Sequence, residues 1–526
     1  MLNNTLLRTF VLSLSLSNLL FLKLWMKLLP YEKGRNLFLA YSPFNSYLAI
    51  IMNVFIWGGV FFLLLYLGGR NKKTYSWTVI SLSSLVGIVA TYGFALSYFS
   101  FAKLVFKYGH TKVICIEFTA LIIVMAWIFA IAKYRDQLAH FCTVIIFMFA
   151  PYIVVTLVQA TSVFTKLEPK SQFHPHSVDP VRSLHNPFGI NVVWIIFDET
   201  DYRLCFEKRP VDLQLPAFDR FRKNAFWATR AYSPSDATQV SLPALLTGIP
   251  LKTTKPVGAR QLDLIRADSS ALVDFGSQET IFDRIKNHHG STALFGWFLP
   301  YSRVMHNVDL AHDYPRYSFF TSDKLLNTLL VQWLEICDTR FIPVNNTLLG
   351  NNHIDILKSM QSDVLSAVKN QNPSLMFLHY PLPHSPYIYN RKNNIVGFNK
   401  NSHEGYLDNM ALADRCLAEL RKEMEQKGSW DNSMIIISSD HHWRTNTYDG
   451  VTDFEHVPFM VKLPHQQKGM TYGNTFNTVL TQELIIAAVE GKVTSPEDVT
   501  LWLDKKIRTE HYDKKVIYSI NQPEAD

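Results

Sequence analysis

Asn191–Thr200 reads NVVWIIFDET, and the fold follows from how this stretch begins and ends. Val192, Val193, Trp194, Ile195 and Ile196 form an unbroken apolar run, β-branched at both ends. A strand buried on both faces has this pattern, which suits the central parallel strands of an α/β sheet. The run stops at Asp198 and Glu199, and in open α/β sheets ligands gather at the carboxyl ends of strands. Two carboxylates there are costly unless a cation pairs with them. In isolation the segment could also be a solvated strand end.

Two further stretches repeat the pattern. Ser433–Ser438, SMIIIS, breaks into Ser439-Asp440-His441-His442, and Leu375–His379, LMFLH, runs on to Tyr380 and then to His384, Ser385 and Pro386. Three buried strands that each end in metal-ligating or proton-transferring residues are far less expected by chance than one. Around them a strand is expected at Ser291–Phe295, and helices at Leu215–Arg222, Thr238–Thr247, Ile354–Val368, Tyr406–Gln426 and Phe476–Val489. Such alternation argues for a largely parallel sheet covered on both faces.

The first third of the chain is different in kind. Five apolar stretches, Leu6–Leu29, Tyr47–Leu67, Ser76–Tyr98, Val113–Ala132 and Ala139–Val163, each approach the ~20 residues a helix needs to cross a bilayer. The division expected is therefore a transmembrane domain over 1–163, a linker over 164–189 and an α/β domain over 190–526. Arg70, Lys72 and Lys73 after the second stretch, and Lys133 and Arg135 after the fourth, mark cytoplasmic loops. An odd number of spans then carries the α/β domain to the outside, whereas Lys103, Lys107 and Lys112 count against this orientation. Glu117, near the start of the fourth stretch, is a weak candidate for a functional intramembrane acid. The net charge of +7 is modest, and no basic stripe with interleaved aromatics suggests nucleic-acid binding. Of the five cysteines, Cys205, Cys337 and Cys416 lie outside the spans; their number permits one disulfide and demands none.

Glu199, Asp440 and His441, with Asp198 as a further donor, offer the oxygen and nitrogen ligands that suit zinc or manganese, with no cysteine among them. Thr238, in SDATQVSLPALLTG ending at Gly248, is the candidate nucleophile. An unperturbed hydroxyl attacks poorly, and metal coordination is one way to activate it. At the mouth of a helix the backbone N–H groups would hold a phosphate or sulfate oxygen, with Pro243 near the first turn. The alternative is that Thr238 merely caps the helix.

Together NVVWIIFDE, TQVSLPALLTG, FLHYPLPHSPY and SSDHHW resemble the alkaline phosphatase–sulfatase superfamily, in its order and at similar spacing. The whole chain resembles the membrane-anchored phosphoethanolamine transferases and lipoteichoic acid synthases, which join about five spans to an extracytoplasmic sulfatase-type domain. The resemblance implies one or two divalent ions, zinc before manganese on ligand softness, held by Glu199, Asp198, Thr238, Asp440 and His441. It implies a nucleophile at Thr238, a proton-transferring or phosphate-contacting His384, a basic His456 beside the metal, and a second site histidine at His379. His442 stands where a glycine is usual, and Trp297 and Arg303 fall in the region that faces the head group.

Sulfatases oxidise a cysteine or serine to formylglycine, which threonine cannot give, so a phosphothreonine intermediate is expected. The implied function is transfer of a phospholipid head group, phosphoethanolamine first and phosphoglycerol left open, to an envelope glycan or lipid in the bacterial inner membrane, with a periplasmic catalytic domain. Pro234 and Ala244 replace the cysteines that flank the nucleophile in lipid A-modifying relatives, which weakens lipid A as the acceptor. A hydrolase of the same fold and a catalytically inactive sensor or scaffold are the rival readings.

Overall fold

The computed structural model describes residues 2–98, 101–174, 184–315, 324–337, 344–398, 403–444 and 455–510. The chain forms two compact units: Met1–Glu32, Tyr41–Glu168 and Ser318–Asn345 make one, and Lys33–Ala40, Pro169–Tyr317 and Asn346–Asp526 the other. The single division expected near residues 163–190 is thus crossed elsewhere as well. Lys33–Ala40 belongs with the α/β unit and Ser318–Asn345 with the helical one.

The helical unit holds α1 (Leu2–Leu20), α2 (Leu22–Leu28), α3 (Phe44–Gly68), α4 (Lys72–Tyr98), α5 (Phe101–Met148) and α6 (Ala150–Phe164). Among the described residues, Phe44–Gly68, Lys72–Thr91 and Met125–Phe164 are long and apolar enough to cross a membrane; α1 and α2, bent by 62°, make a fourth if taken as one span, beside the five expected. The loop anticipated around Lys133 and Arg135 is continuous helix in α5, because Lys-Tyr-Arg-Asp-Gln-Leu contains no glycine or proline to stop it. The first half of the expected span Val113–Ala132, with Glu117, falls where side chains lie outside the described residues, and residues 175–183 of the linker also lie outside them.

The polarity of this unit is inverted. Ser13, Ser15, Ser17, Asn18, Ser46 and Asn53 are buried, whereas Phe55, Ile56, Leu63 and Leu64 are exposed. Inside, the Trp25 indole N–H donates to Asn18 Oδ1 at 2.8 Å, Thr156 Oγ1 donates to the same oxygen at 3.2 Å, and Ser17 Oγ donates to the Val54 carbonyl at 2.7 Å. Buried small polar residues and an apolar exterior are what helices packed in lipid require.

In the α/β unit eight strands form one sheet, in the order Met470–Tyr472, Phe226–Ala228, Phe459–Lys462, Ser433–Ser438, Asn191–Phe197, Leu375–Tyr380, Thr292–Trp297 and Leu310–Tyr314. Asn191–Phe197 is central, with parallel neighbours on both sides. Its Val192, Trp194 and Ile196 face one core with Leu242 and Leu245 of α8 (Thr238–Thr247), and Val193, Ile195 and Phe197 face the other with Phe218 and Phe221 of α7 (Pro216–Lys223). Complete burial on both sides explains the unbroken run, each large side chain contributing roughly 1.5–3 kcal/mol.

Register then decides where the chemistry goes. Ile196 pairs with Ser438 on one side and His379 on the other. The three strands therefore end level, and the residues just beyond them emerge at one edge.

Two expectations shift in detail. The region expected to be a helix from Phe476 begins as a short strand, Phe476–Asn477, paired with Ala231–Tyr232, and becomes helical afterwards. Cys142, Cys205, Cys337 and Cys416 are free thiols.

Candidate metal centre and nucleophile

Asp198, Asp440 and His441 are completely buried at the level strand ends, with one ligand atom of each within 4.8 Å of the others. His441 Nε2 lies 3.4 Å from Asp440 Oδ2, 3.8 Å from Asp198 Oδ1 and 3.1 Å from Thr238 Oγ1. The Nδ1 of that ring is 2.8 Å from the His442 carbonyl. A carbonyl only accepts, so Nδ1 carries a proton and Nε2 is the atom turned to the cluster, where a cation would displace the second proton that neighbouring Asp440 favours on this ring. Asp198 Oδ1 and Asp440 Oδ2 are buried without a hydrogen-bond partner among the described residues. Two orphaned carboxylate oxygens, an imidazole lone pair and a hydroxyl converging on one point are the donor set of a divalent cation, and these residues fit one.

His379 extends the cluster. Its Nδ1 is 2.9 Å from the Trp297 carbonyl and 3.0 Å from the Tyr301 hydroxyl, and its Nε2 is 3.2 Å from Asp198 Oδ2. Burial pushes His379 down to about 4, so the ring is neutral at neutral pH, with its proton on Nδ1. Nε2 and Asp198 Oδ2 are then both acceptors, and a proton or a cation must lie between them. Burial, and then the neighbouring Asp440, raise the Asp198 carboxyl well above its usual range, which keeps that proton in place until a cation replaces it. Asp440 goes the other way: burial opposes its ionisation, but the adjoining His441 ring outweighs it.

Adjacent acids have different positions. Glu199 adopts φ +65° and gives its backbone N–H to Asp440 Oδ1 at 3.0 Å. Its carboxylate, raised by burial, lies 3.7 Å from Arg444 Nε. Glu199 was expected as a principal ligand; it stands outside the close group of Asp198, Asp440 and His441.

Thr238 opens α8, but the N-cap residue is Ala237, and no side chain caps this end. The hydroxyl therefore faces His441 and Asp440 instead of closing its own helix. Upstream, Ser235 gives its N–H to Ser241 Oγ at 3.0 Å and receives that hydroxyl's proton on its carbonyl at 2.9 Å, which fixes the loop leading into the helix. Pro243 lies inside the helix, not in its first turn. The Gln239 carbonyl that Pro243 cannot bond accepts from Thr254 Oγ1 at 3.3 Å. At the far end Gly248 has φ +67°, and an added Cβ would stand 2.1 Å from Gln482 Nε2. Gly248→Ala is expected to cost about 1–3 kcal/mol, read as a lowered midpoint of thermal denaturation.

The remaining candidates disperse. His384 is half-buried, its Nδ1 2.5 Å from the Ser385 carbonyl and its ring 5.0 Å from that of Trp297. The Trp297 ring also packs on His379 and His353, and its Nε1 is buried without a partner among the described residues. His442 is buried and contributes its carbonyl to His441. His456 lies between Tyr202 and Tyr232, with Nε2 2.6 Å from the Tyr232 hydroxyl.

Arg303, expected to face a head group, is instead buried and donates to the carbonyls of Leu37 at 2.6 Å and Leu39 at 3.0 Å, under the Phe173 ring. It anchors Lys33–Ala40 within the α/β unit. Arg303→Ala should lower stability by about 1.5–3 kcal/mol and leave kcat of the folded protein unchanged, a split that denaturation and turnover measurements would separate.

Three supporting residues escaped the sequence reading. Tyr301 touches His379. Ser439 Oγ accepts the Thr200 N–H at 2.8 Å and lies within 2.8 Å of the Phe197 carbonyl. The Tyr406 hydroxyl donates to the Glu199 carbonyl at 2.8 Å and accepts from the Asp201 N–H at 2.9 Å. Only Ser439, next to the Asp-His pair, carried any signal in its position.

The sulfatase family model matches residues 190–488, more than half of the chain. Among solved structures, the chain is similar to the PsFucS1 sulfatase from Pseudoalteromonas sp. (14% identity over 59% of this chain and 68% of that one, TM-score 0.42). It is also similar to the phosphonate monoester hydrolase of Agrobacterium radiobacter (12%, 57% and 74%, 0.39) and to a protein in the alkaline phosphatase superfamily from Vibrio parahaemolyticus (12%, 61% and 71%, 0.39). No curated protein matches the sequence significantly.

Proposed function

The chain belongs to the sulfatase family, and we propose that within it this protein is a membrane-anchored, cation-dependent phosphotransferase. It would move a phospholipid head group, phosphoethanolamine first, to an envelope glycan or lipid through a phosphothreonine at Thr238. The observation that carries this reading is the Thr238 hydroxyl 3.1 Å from His441 Nε2, beside two carboxylates whose facing oxygens have no hydrogen-bond partner among the described residues. A threonine there supports phosphoryl over sulfuryl chemistry, since formylglycine cannot form from it.

A divalent cation held by Asp198, Asp440, His441 and Thr238, zinc before manganese, would supply positive charge that favours the alkoxide and offsets the phosphoryl oxygens. Thr238 Oγ1 attacks phosphorus as the bond to the diacylglycerol oxygen breaks, and its proton passes to the neighbouring Asp440 carboxylate, whose Oδ2 has no partner among the described residues. The positive end of α8 faces the phosphoryl oxygens, and Trp297 Nε1 is a further donor. His384 gives the departing glycerol oxygen its proton, then takes one from the acceptor hydroxyl that attacks the phosphothreonine. His379, neutral at neutral pH, offers Nε2 as a further nitrogen donor beside Asp198 Oδ2.

Several apolar helices on the same chain support a donor drawn from the surrounding membrane. The basic residues Arg70, Lys72 and Lys73 support a cytoplasmic position for their loop and a periplasmic one for the α/β unit in the bacterial inner membrane.

The test is intact-mass measurement of the purified full chain with phosphatidylethanolamine or phosphatidylglycerol, followed by peptide mapping. An adduct of head-group mass on Thr238, passed to an added glycan or lipid, is the expected result. A head group released only to water would make the protein a hydrolase, and absence of any adduct or turnover in the cation-loaded protein would leave the scaffold reading.

A further inference from the structure

Leu325–Cys337, LLNTLLVQWLEIC, lies between two strands of the α/β unit in sequence, yet folds as a helix of the other unit. Its polarity is reversed from that of a water-facing helix. Thr328, Gln332 and Glu335, spaced i, i+4, i+7, are 1%, 0% and 1% exposed, whereas Leu326, Leu330 and Trp333, at the same spacing on the opposite side, are 67%, 56% and 38% exposed.

The inward stripe is fully engaged with the spans. Gln332 Nε2 donates to the Ser46 carbonyl at 2.8 Å and Gln332 Oε1 accepts from Asn53 Nδ2 at 3.2 Å, on α3. Glu335 Oε1 is shared by Lys23 at 2.9 Å and Lys27 at 3.1 Å, both on α2. The Trp333 indole stacks on that of Trp57 at 5.9 Å, interplanar angle 6°. A carboxylate buried this way is held because two ammonium groups meet it.

In water the exposed stripe would cost the burial its leucines forgo, while the polar stripe would have been better placed outside. In lipid both stripes are where they belong, and the stripe continues the apolar exterior of α3 formed by Phe55, Ile56, Leu63 and Leu64. Thirteen residues span only about 20 Å, short of the ~30 Å hydrocarbon core.

We propose that Leu325–Cys337 is a lipid-embedded helix, a part of the intervening sequence of the α/β unit that returns into one leaflet. Leu326, Leu330 and Trp333 lie against acyl chains, and Lys23–Glu335–Lys27 locks the helix to the bent span.

The native full chain, reconstituted in phosphatidylethanolamine–phosphatidylglycerol vesicles, provides the test without substitution. Two labels are compared by peptide mass mapping: a phospholipid carrying a photoreactive diazirine in its acyl chain, and hydroxyl radicals generated in the water. Leu326, Leu330 and Trp333 should take the lipid label as Ile56 and Leu63 do. Their oxidation should be about tenfold or more below that of Val211 and Leu501, exposed apolar residues of the α/β unit. Oxidation matching Val211 without lipid adducts would overturn the proposal by placing the stripe in water. Protection from both labels would overturn it equally, by showing a protein cover such as a second copy of the chain.

Discussion

Thr238→Ala is expected to lower head-group release from phosphatidylethanolamine by about 10³-fold or more and to abolish the covalent adduct, with the fold nearly intact and the loss persisting at saturating cation. The side chain is buried at the start of α8 and does not serve as that helix's N-cap, so alanine removes little stability. What it removes is the one hydroxyl 3.1 Å from His441 Nε2. Thr238→Ser keeps the oxygen and should retain activity within about tenfold of the wild type, because the nucleophile survives and only its rotamer loosens. Steady-state release and intact mass read both variants. Turnover by the alanine variant above a tenth of wild type would sink the covalent route, since no other hydroxyl is assigned the role.

Asp198→Asn should produce a crossing of stabilities. In wild type the orphaned Asp198 Oδ1 and Asp440 Oδ2 lie in a fully buried pocket, and without a cation the raised Asp198 carboxyl must hold a proton at neutral pH, a cost that is absent below its ordinary pKa and grows as the pH rises above it. Asparagine is neutral at every pH and escapes that cost, and its amide can donate to His379 Nε2. Stripped of cation, the variant should therefore exceed the stripped wild type by about 1–3 kcal/mol. Cation affinity should fall by about 100-fold or more, beyond the usual effect of losing a supporting residue. Adding zinc or manganese at a hundred times its wild-type dissociation constant should raise wild-type stability by about 2.7 kcal/mol and that of the variant by about 0.4 kcal/mol or less. Thermal denaturation with chelator and with each ion gives the four corners of the comparison. If chelated wild type proves the more stable, the two carboxylates are not a vacant cation cage.

Much of the site was legible because parallel register is a local rule. Runs such as Val192–Ile196 and Met434–Ile437 announce buried strands, and adjacent parallel strands ending level bring Asp198 and Asp440 together whatever lies between. Choosing between Asp198 and Glu199 was not possible on those grounds. The choice depends on the φ of +65° at Glu199, which turns its carboxylate toward Arg444, a conformation that nothing in the run announces. Arg303 was misread because the carbonyls it binds are more than 260 residues away, at Leu37 and Leu39. Leu325–Cys337 escaped notice because its apolar content is too short for a span, and its reversed polarity shows only once Lys23, Ser46 and Asn53 are beside it.

The assignment of Lys33–Ala40 to the α/β unit bears on how the chain can be dissected. A fragment beginning after residue 189 would lack Leu37, which is fully buried in the sheet's core, and would remove two carbonyl acceptors of the Arg303 guanidinium. The same fragment would carry Leu325–Cys337 into solution with neither of its stripes matched. Truncation to the family-matched segment should thus yield insoluble material, and a soluble catalytic piece would require supplying the 33–40 peptide in trans and deleting the 325–337 helix.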